Sequence, residues 1–267
     1  MSAPINLRNS IVESHDEYHA RSGEYLSSHL LAAFRRCPRE YQMRVRGEIT
    51  VPDSAALRFG RAFHCLALEG DEAFASEYLI GGPINPKTGK PFGADTKAAR
   101  AAEEESGKAI VEVEDYGTMC AMDGALREHA VAQSVLHGTI REAVFRTNLQ
   151  GVKCQARCDA VSESAIADLK TTDDIDSFER DAKKYGYLHQ LAFYADVASF
   201  GNARSVTCYL IACEKRAPYR VGVWEMLLTP IDSAAAENRS AIRRLKAMMP
   251  GDASWPTGYE ERRVFTG

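Results

Sequence analysis

The chain has 267 residues, 45% of them hydrophobic, and its 33 Lys and Arg against 37 Asp and Glu give a net charge of −4. That length supports a sizeable core in one large domain or two small ones, while the acidic balance excludes any argument for nucleic-acid binding from overall charge alone. No apolar run resembles a signal peptide or is long enough to span a bilayer, and seven scattered cysteines suit a reducing cytoplasm better than a disulfide framework.

Residues 1–24 are polar without clear periodicity, which predicts a loose arm, and 25–267 read as one domain with a helical part (25–136) and an α/β core (139–250). Hydrophobic spacing predicts helices over 27–46 and 55–68. Arg35, Arg36, Arg39, Arg44 and Arg46 crowd the first, and Arg58 and Arg61 follow on the second. Arg35, Arg36 and Arg61 are therefore candidate phosphate contacts. Gly, Pro and Asn between Gly81 and Gly93 predict a loop carrying Lys87 and Lys90. Two helices follow over 95–136, the second covering 115–135, with Glu103-Glu104-Glu105 on a solvated surface.

From Thr139 the pattern turns to strands over 140–147, 152–161 and 165–171. A helix over 175–200, strands over 205–213 and 219–228, and a helix over 233–249 complete it. This order fits a mixed α/β sheet flanked by helices. The last helix carries a second basic cluster, Arg239, Arg243, Arg244 and Lys246, which reads equally well as a solvated face.

The chemistry concentrates between Gly151 and Lys170. In Cys154-Gln155-Ala156-Arg157-Cys158-Asp159 the small apolar residues take alternate positions, so Gln155, Arg157 and Asp159 share the opposite face. Ser162-Glu163-Ser164 supplies a turn, and the next strand puts Asp168 and Lys170 on one face, two residues apart. A short hairpin brings Asp159 beside Asp168, where two carboxylates can share a hard cation such as Mg²⁺ and a lysine can orient water or stabilise developing charge. Asp-x-Lys alone is a common surface pair. Its neighbours change its meaning: Gly151 and Arg157-x-Asp159 before it, Thr171-Thr172 after it, and Gln190 and Tyr194 on the following helix.

That ordered set resembles the PD-(D/E)XK nuclease superfamily in its RecB-like branch. Tyr25-Leu26-Ser27-Ser28 with Phe34, Cys37-Pro38 and Tyr41 extends the likeness, as does the Phe59–Glu69 segment with Gly60, His64, Leu68 and Glu69. Order and spacing are most similar to the RecE-type exonucleases (exodeoxyribonuclease VIII) and related phage exonucleases, over roughly residues 25–249. The resemblance implies a restriction-endonuclease-like fold and metal-dependent DNA cleavage. By the same resemblance Asp159 and Asp168 hold the metal, with His64 approaching it and Glu142 as an additional acidic position. Lys170 is the catalytic lysine. Gln190 supports the site, while Arg157, Thr171 and Tyr194 touch DNA. Mg²⁺ is the expected cofactor, with Mn²⁺ as an alternative. Some relatives bind an iron–sulfur cluster through a cysteine near Cys37 and three near the C-terminus. No cysteine follows Cys213 here, so no cluster is expected, and Cys154 and Cys158 read as buried small hydrophobes.

The expected activity is 5′-to-3′ resection of linear duplex DNA ends in phage-type recombination, beside a single-strand annealing protein and as a homo-oligomeric ring. An endonuclease, a single-strand nuclease or a non-catalytic DNA-end-binding scaffold remain as alternatives.

Overall fold

Side-chain caps and helix-breaking residues divide the first half of the chain into short helices. The computed structural model describes residues 4–50, 52–93, 96–249 and 253–264. Helix α1 (His15–Ala20) starts at a reciprocal Ser14–Glu17 capping box. The stretch 27–46 forms two helices, α2 (Ser28–Arg36) and α3 (Pro38–Val45). Pro38 disfavours helical backbone at Cys37, and the Cys37 sulfur accepts the Glu40 N–H at 3.4 Å as the cap of the second helix. Helix α4 (Ala55–His64) runs into a π-helical turn, Cys65–Glu69, which Gly70 ends with φ 91°.

Next come α5 (Asp71–Glu77), β1 (Tyr78–Ile80), α6 (Lys97–Ser106), β2 (Ala109–Val111), α7 (Val113–Glu128) and α8 (Ala130–Leu136). Strands β1 and β2 pair in parallel, and three residues each are too few to leave an alternation in the sequence. The helix expected over 115–135 breaks at His129, whose backbone is extended and whose ring Nδ1 accepts the Ala132 N–H.

Among the described residues the main sheet has five strands in chain order: β3 (Ile140–Leu149), β4 (Val152–Val161), β5 (Ala165–Thr172), β6 (Thr207–Glu214) and β7 (Val221–Met226). All neighbours are antiparallel except β5 and β6. The parallel step is spanned by α9 (Phe178–Tyr185) and α10 (Tyr187–Ala198), separated at Gly186 in the left-handed conformation. The final helix is α11 (Leu228–Met248). Gln150 and Gly151, both with positive φ, form the tight β3–β4 turn.

Both faces of the sheet are covered. Phe145, Cys158, Ile166 and Leu210 pack with residues of α2, α10 and α11, while Ala167, Leu169, Ile211 and Cys213 pack with α4, α7 and α8. This is the restriction-endonuclease-like α/β arrangement. Cys154 and Cys158 are fully buried, as alternation predicts.

The described part of residues 1–24 is not a loose arm. Ile5 is fully buried and its N–H binds the Glu163 carbonyl, and Ile11 exchanges two backbone hydrogen bonds with Val144 on the outer edge of β3. The Tyr18 carbonyl accepts from Gln155 Nε2 at 3.2 Å, and Glu13 pairs with Arg146. Arg146 and Gln155 lie on the polar face of β3 and β4 and need partners once covered. The N-terminal segment supplies them through backbone groups and single side chains, which leave no hydrophobic period to read.

Candidate active site

The site begins where the β4–β5 ladder stops. Ala160 pairs with Ala167 and Val161 with Ile166, and no pair follows on the side of Asp159 and Asp168, the next opposed positions. Asp159 Oδ2 instead accepts the Leu169 N–H at 2.7 Å. Opening the strands there gives two carboxylates room on neighbouring strands while the backbone donor stays satisfied. Asp168 is 1% exposed, and neither of its oxygens has an aligned hydrogen-bond donor. Its one strong neighbour is ionic: Lys170 Nζ stands 2.5 Å from Asp168 Oδ2.

Lys170 Nζ also lies 5.0 Å over the ring of Tyr187 on α10. Gln190, one turn along, donates to the Tyr194 hydroxyl at 2.8 Å. The partner of the glutamine amide is thus the tyrosine four residues on.

Across the cleft, α4 ends at His64, whose Nδ1 is 3.5 Å from Asp159 Oδ2. Gly60, one turn earlier, passes close to Thr171: a Cβ there would lie 4.0 Å from the threonine Oγ1. The β3–β4 pairing skips Glu142, between Arg141↔Ala160 and Ala143↔Cys158, and Glu142 takes φ 49°, a left-handed conformation unusual for a strand residue other than glycine. Arg157 Nε is 2.6 Å from Glu142 Oε2, and Arg157 Nη2 is 3.6 Å from Glu69 Oε1, at the end of the π turn.

His64, Glu142 and Asp159 each place a ligand atom within 4.8 Å of the others. Two carboxylates and one imidazole, with the Asp168 carboxylate beside them, are an oxygen-rich donor set suited to Mg²⁺ or Mn²⁺. Burial, followed by the nearby Lys170, lowers the His64 pKa to about 4, so the ring is neutral at pH 7 and free to ligate. Burial and the Asp159 charge push Glu142 up to about 8. Burial likewise raises Asp159 and Asp168, against the attraction of Lys170. Burial opposes the Lys170 charge, but Asp168 and Asp159 outweigh it and raise its pKa. A cation between these carboxylates removes the repulsion and desolvation that burden them.

These residues line one cleft of about 960 Å³, together with Arg35, Arg61, Thr171, Gln190 and Tyr194. The remaining expectations fare unevenly. Arg157 lines the cleft, is 12% exposed and lies between Glu142 and Glu69, so the two glutamates compete with a phosphate for its guanidinium. Tyr194 lines the cleft at 7% exposure with its hydroxyl bonded to Gln190. Arg36 is paired with Glu40 and does not line the cleft. Arg35 lines it beside His189 and Glu237, and Arg61 lines it in a bidentate pair with Asp53 at 2.9 and 2.7 Å. In the second basic cluster, Arg239 is committed to Asp196.

The sequence reading missed the roles of Tyr187, Glu69 and the Leu169 N–H. Tyr187 had a usable signal, since it lies three residues before Gln190 on the same helical face. The Leu169 amide had none.

The family model for a PDDEXK-like domain of unknown function (DUF3799) matches residues 27–263, and the chain belongs to that family. Among solved structures, a candidate exonuclease from Eubacterium rectale shares the fold at 14% identity and TM-score 0.66, with 96% of each chain covered. The alkaline exonuclease LHK-Exo of Laribacter hongkongensis matches at 12% identity over 89% of this chain. Its two structures, one with dAMP, give TM-scores of 0.41 and 0.35 with 95% and 98% of that chain covered. No curated protein matches the chain.

Proposed function

We propose that this PD-(D/E)XK-type nuclease is a divalent-metal-dependent exonuclease that hydrolyses linear double-stranded DNA from its ends in the 5′-to-3′ direction. The observation that carries the reading is the convergence of Asp159, Asp168 and Lys170 in one cleft, with both Asp168 oxygens lacking an aligned donor. A binding-only protein gains nothing from burying such a set, because each desolvated carboxylate weakens the fold unless a ligand offsets it. The name of the E. rectale protein, a candidate exonuclease, agrees with this reading.

His64, Glu142, Asp159 and Asp168 would hold the ion, with Mg²⁺ expected and Mn²⁺ favoured by the imidazole. When bound, the ion supplies positive charge beside the scissile phosphate and makes water a stronger acid. Lys170 orients the attacking water and stabilises charge that develops on the phosphoryl oxygens. Asp168 keeps that lysine protonated, and the Tyr187 ring limits its movement. Arg157 aims Glu142 at the site. Arg35, Arg61 and Thr171 meet the DNA backbone along the cleft.

By resemblance to RecE-type enzymes, the setting is phage-type recombination in a bacterial cytoplasm, with a single-strand annealing protein as partner and a homo-oligomeric ring as the working form. The test is Mg²⁺-dependent digestion of 5′-labelled linear duplex beside a covalently closed circle. Release of label from linear DNA alone supports the proposal. Cleavage of the circle makes the protein an endonuclease, and no cleavage with Mg²⁺ or Mn²⁺ favours the end-binding scaffold.

A further inference from the structure

Tyr185 and Leu57 are the two large apolar side chains, among the described residues, that line the cleft and remain more than half exposed, at 60% and 52%. Leu57 is aliphatic. Tyr185 is an aromatic ring held at the mouth of a site whose substrate carries bases, and its position follows from a specific break in the chain. On a continuous helix, residues 185 and 187 would point away from each other. Gly186, at φ 72°, ends α9 and restarts the chain as α10, and this turn brings the two rings to 5.9 Å between centroids, tilted by 30°. Tyr187 in turn lies 5.0 Å from Lys170 Nζ. The three side chains form a ladder that leads from the lysine to solvent.

Tyr185 has charges of both signs around it: Asp181 stands one turn before it on α9 and lines the same cleft, and cations lie beside it. Lys183 and Lys184 occupy the last turn of α9, and Lys184 Nζ lies 5.1 Å over the Tyr185 ring. Arg180 lines the same cleft with its side chain 75% exposed, and its paired acid is the adjacent Asp181. An exposed lysine over a ring is a weak contact. A stacked base is a stronger one and frees the ammonium for a phosphate. Aromatic faces flanked by mobile cations are the elements from which single-strand binding surfaces are built.

We infer that Tyr185, backed by Tyr187, is a stacking platform for an unpaired nucleobase next to the scissile phosphate, so that the end of the duplex is frayed at the cleft before cleavage. This rests on the exonuclease reading and adds a base-binding subsite to it. Stacking of this kind is indifferent to base identity, because every base offers a π-face, which suits an enzyme that must advance through any sequence.

The test compares Tyr185→Ala and Tyr185→Phe in the full-length protein on linear duplex DNA. Loss of one stacked base weakens binding by about 5- to 150-fold. Tyr185→Ala should therefore raise KM within that range while kcat stays within about twofold, and Tyr185→Phe should restore KM. A second reading uses 2-aminopurine as the terminal 5′ nucleotide, with each substitution placed in a Lys170→Ala background to block turnover. Its fluorescence should change on binding when residue 185 is Tyr or Phe, and not when it is Ala. Unaltered KM together with an unaltered fluorescence change in the Ala variant overturns the platform while leaving the nuclease intact. Absence of cleavage by the wild-type protein overturns the exonuclease reading and the platform with it.

Discussion

The Asp159 carboxylate holds the Leu169 N–H at 2.7 Å where β4 and β5 part, so a side chain occupies the place of a strand carbonyl. One residue thereby closes the sheet locally and presents its carboxylate to the site. Asp159→Asn separates the two tasks, because the amide oxygen can accept the same N–H while the negative charge is lost. The variant should fold with its thermal midpoint little changed. Its metal affinity, read by titration calorimetry with Mn²⁺, should fall by more than the ~10–100-fold of an outer-sphere change.

Glu142 ties metal binding to pH. Its pKa rises from 4.5 in the unfolded chain to about 8 in the folded one. A carboxyl with a raised folded-state pKa supports folding while protonated, and that contribution is lost as pH climbs from 4.5 through about 8. The neutral His64 works in the opposite direction only between about 4 and 6.5. Above pH 6.5 the metal-free protein should therefore lose stability, while the ion finds Glu142 increasingly ready to ligate. The rise in thermal midpoint on adding Mg²⁺ or Mn²⁺ should be larger at pH 8.5 than at pH 6.5, as read by scanning fluorimetry against EDTA controls.

Arg157 and Arg61 should part company when each is changed to alanine. Arg157 is nearly buried between Glu142 and Glu69, and since Glu142 can take up a proton once the arginine is gone, its loss should destabilise by about 0.5–3 kcal/mol at neutral pH. Urea denaturation should show a loss of this order, with the salt dependence of DNA binding unchanged. Arg61, 43% exposed in its pair with Asp53, should leave stability almost untouched and reduce the salt slope by about one.

The readable part of the site was the part written in alternation. Gln155, Arg157 and Asp159 share a face because strand geometry leaves no alternative, and the order of Asp159, Asp168, Lys170, Gln190 and Tyr194 carried the family resemblance. What each of these residues touches was harder to read. Arg157 looked like a phosphate ligand because nothing local announces that Glu69, 88 positions earlier, lies within reach. Gln190 and Tyr194 each needed a partner, and they proved to be each other's. The left-handed backbone at Glu142 has no sequence signature at all, since glycine or asparagine would be the usual occupant. The N-terminal segment was misjudged for a related reason: backbone pairing, as between Ile11 and Val144, depends on register and not on side-chain type.

The most direct test of the central claim is single-turnover cleavage of 5′-labelled duplex DNA by Lys170→Ala in Mg²⁺, with DNA binding and circular dichroism measured on the same preparation. Removing a group that stabilises developing charge should slow cleavage by about 100- to 1,000-fold, with DNA affinity and the folded spectrum retained. A folded variant that binds DNA and cleaves it within a few-fold of the wild-type rate would place the chemistry outside the Asp159–Asp168–Lys170 cleft.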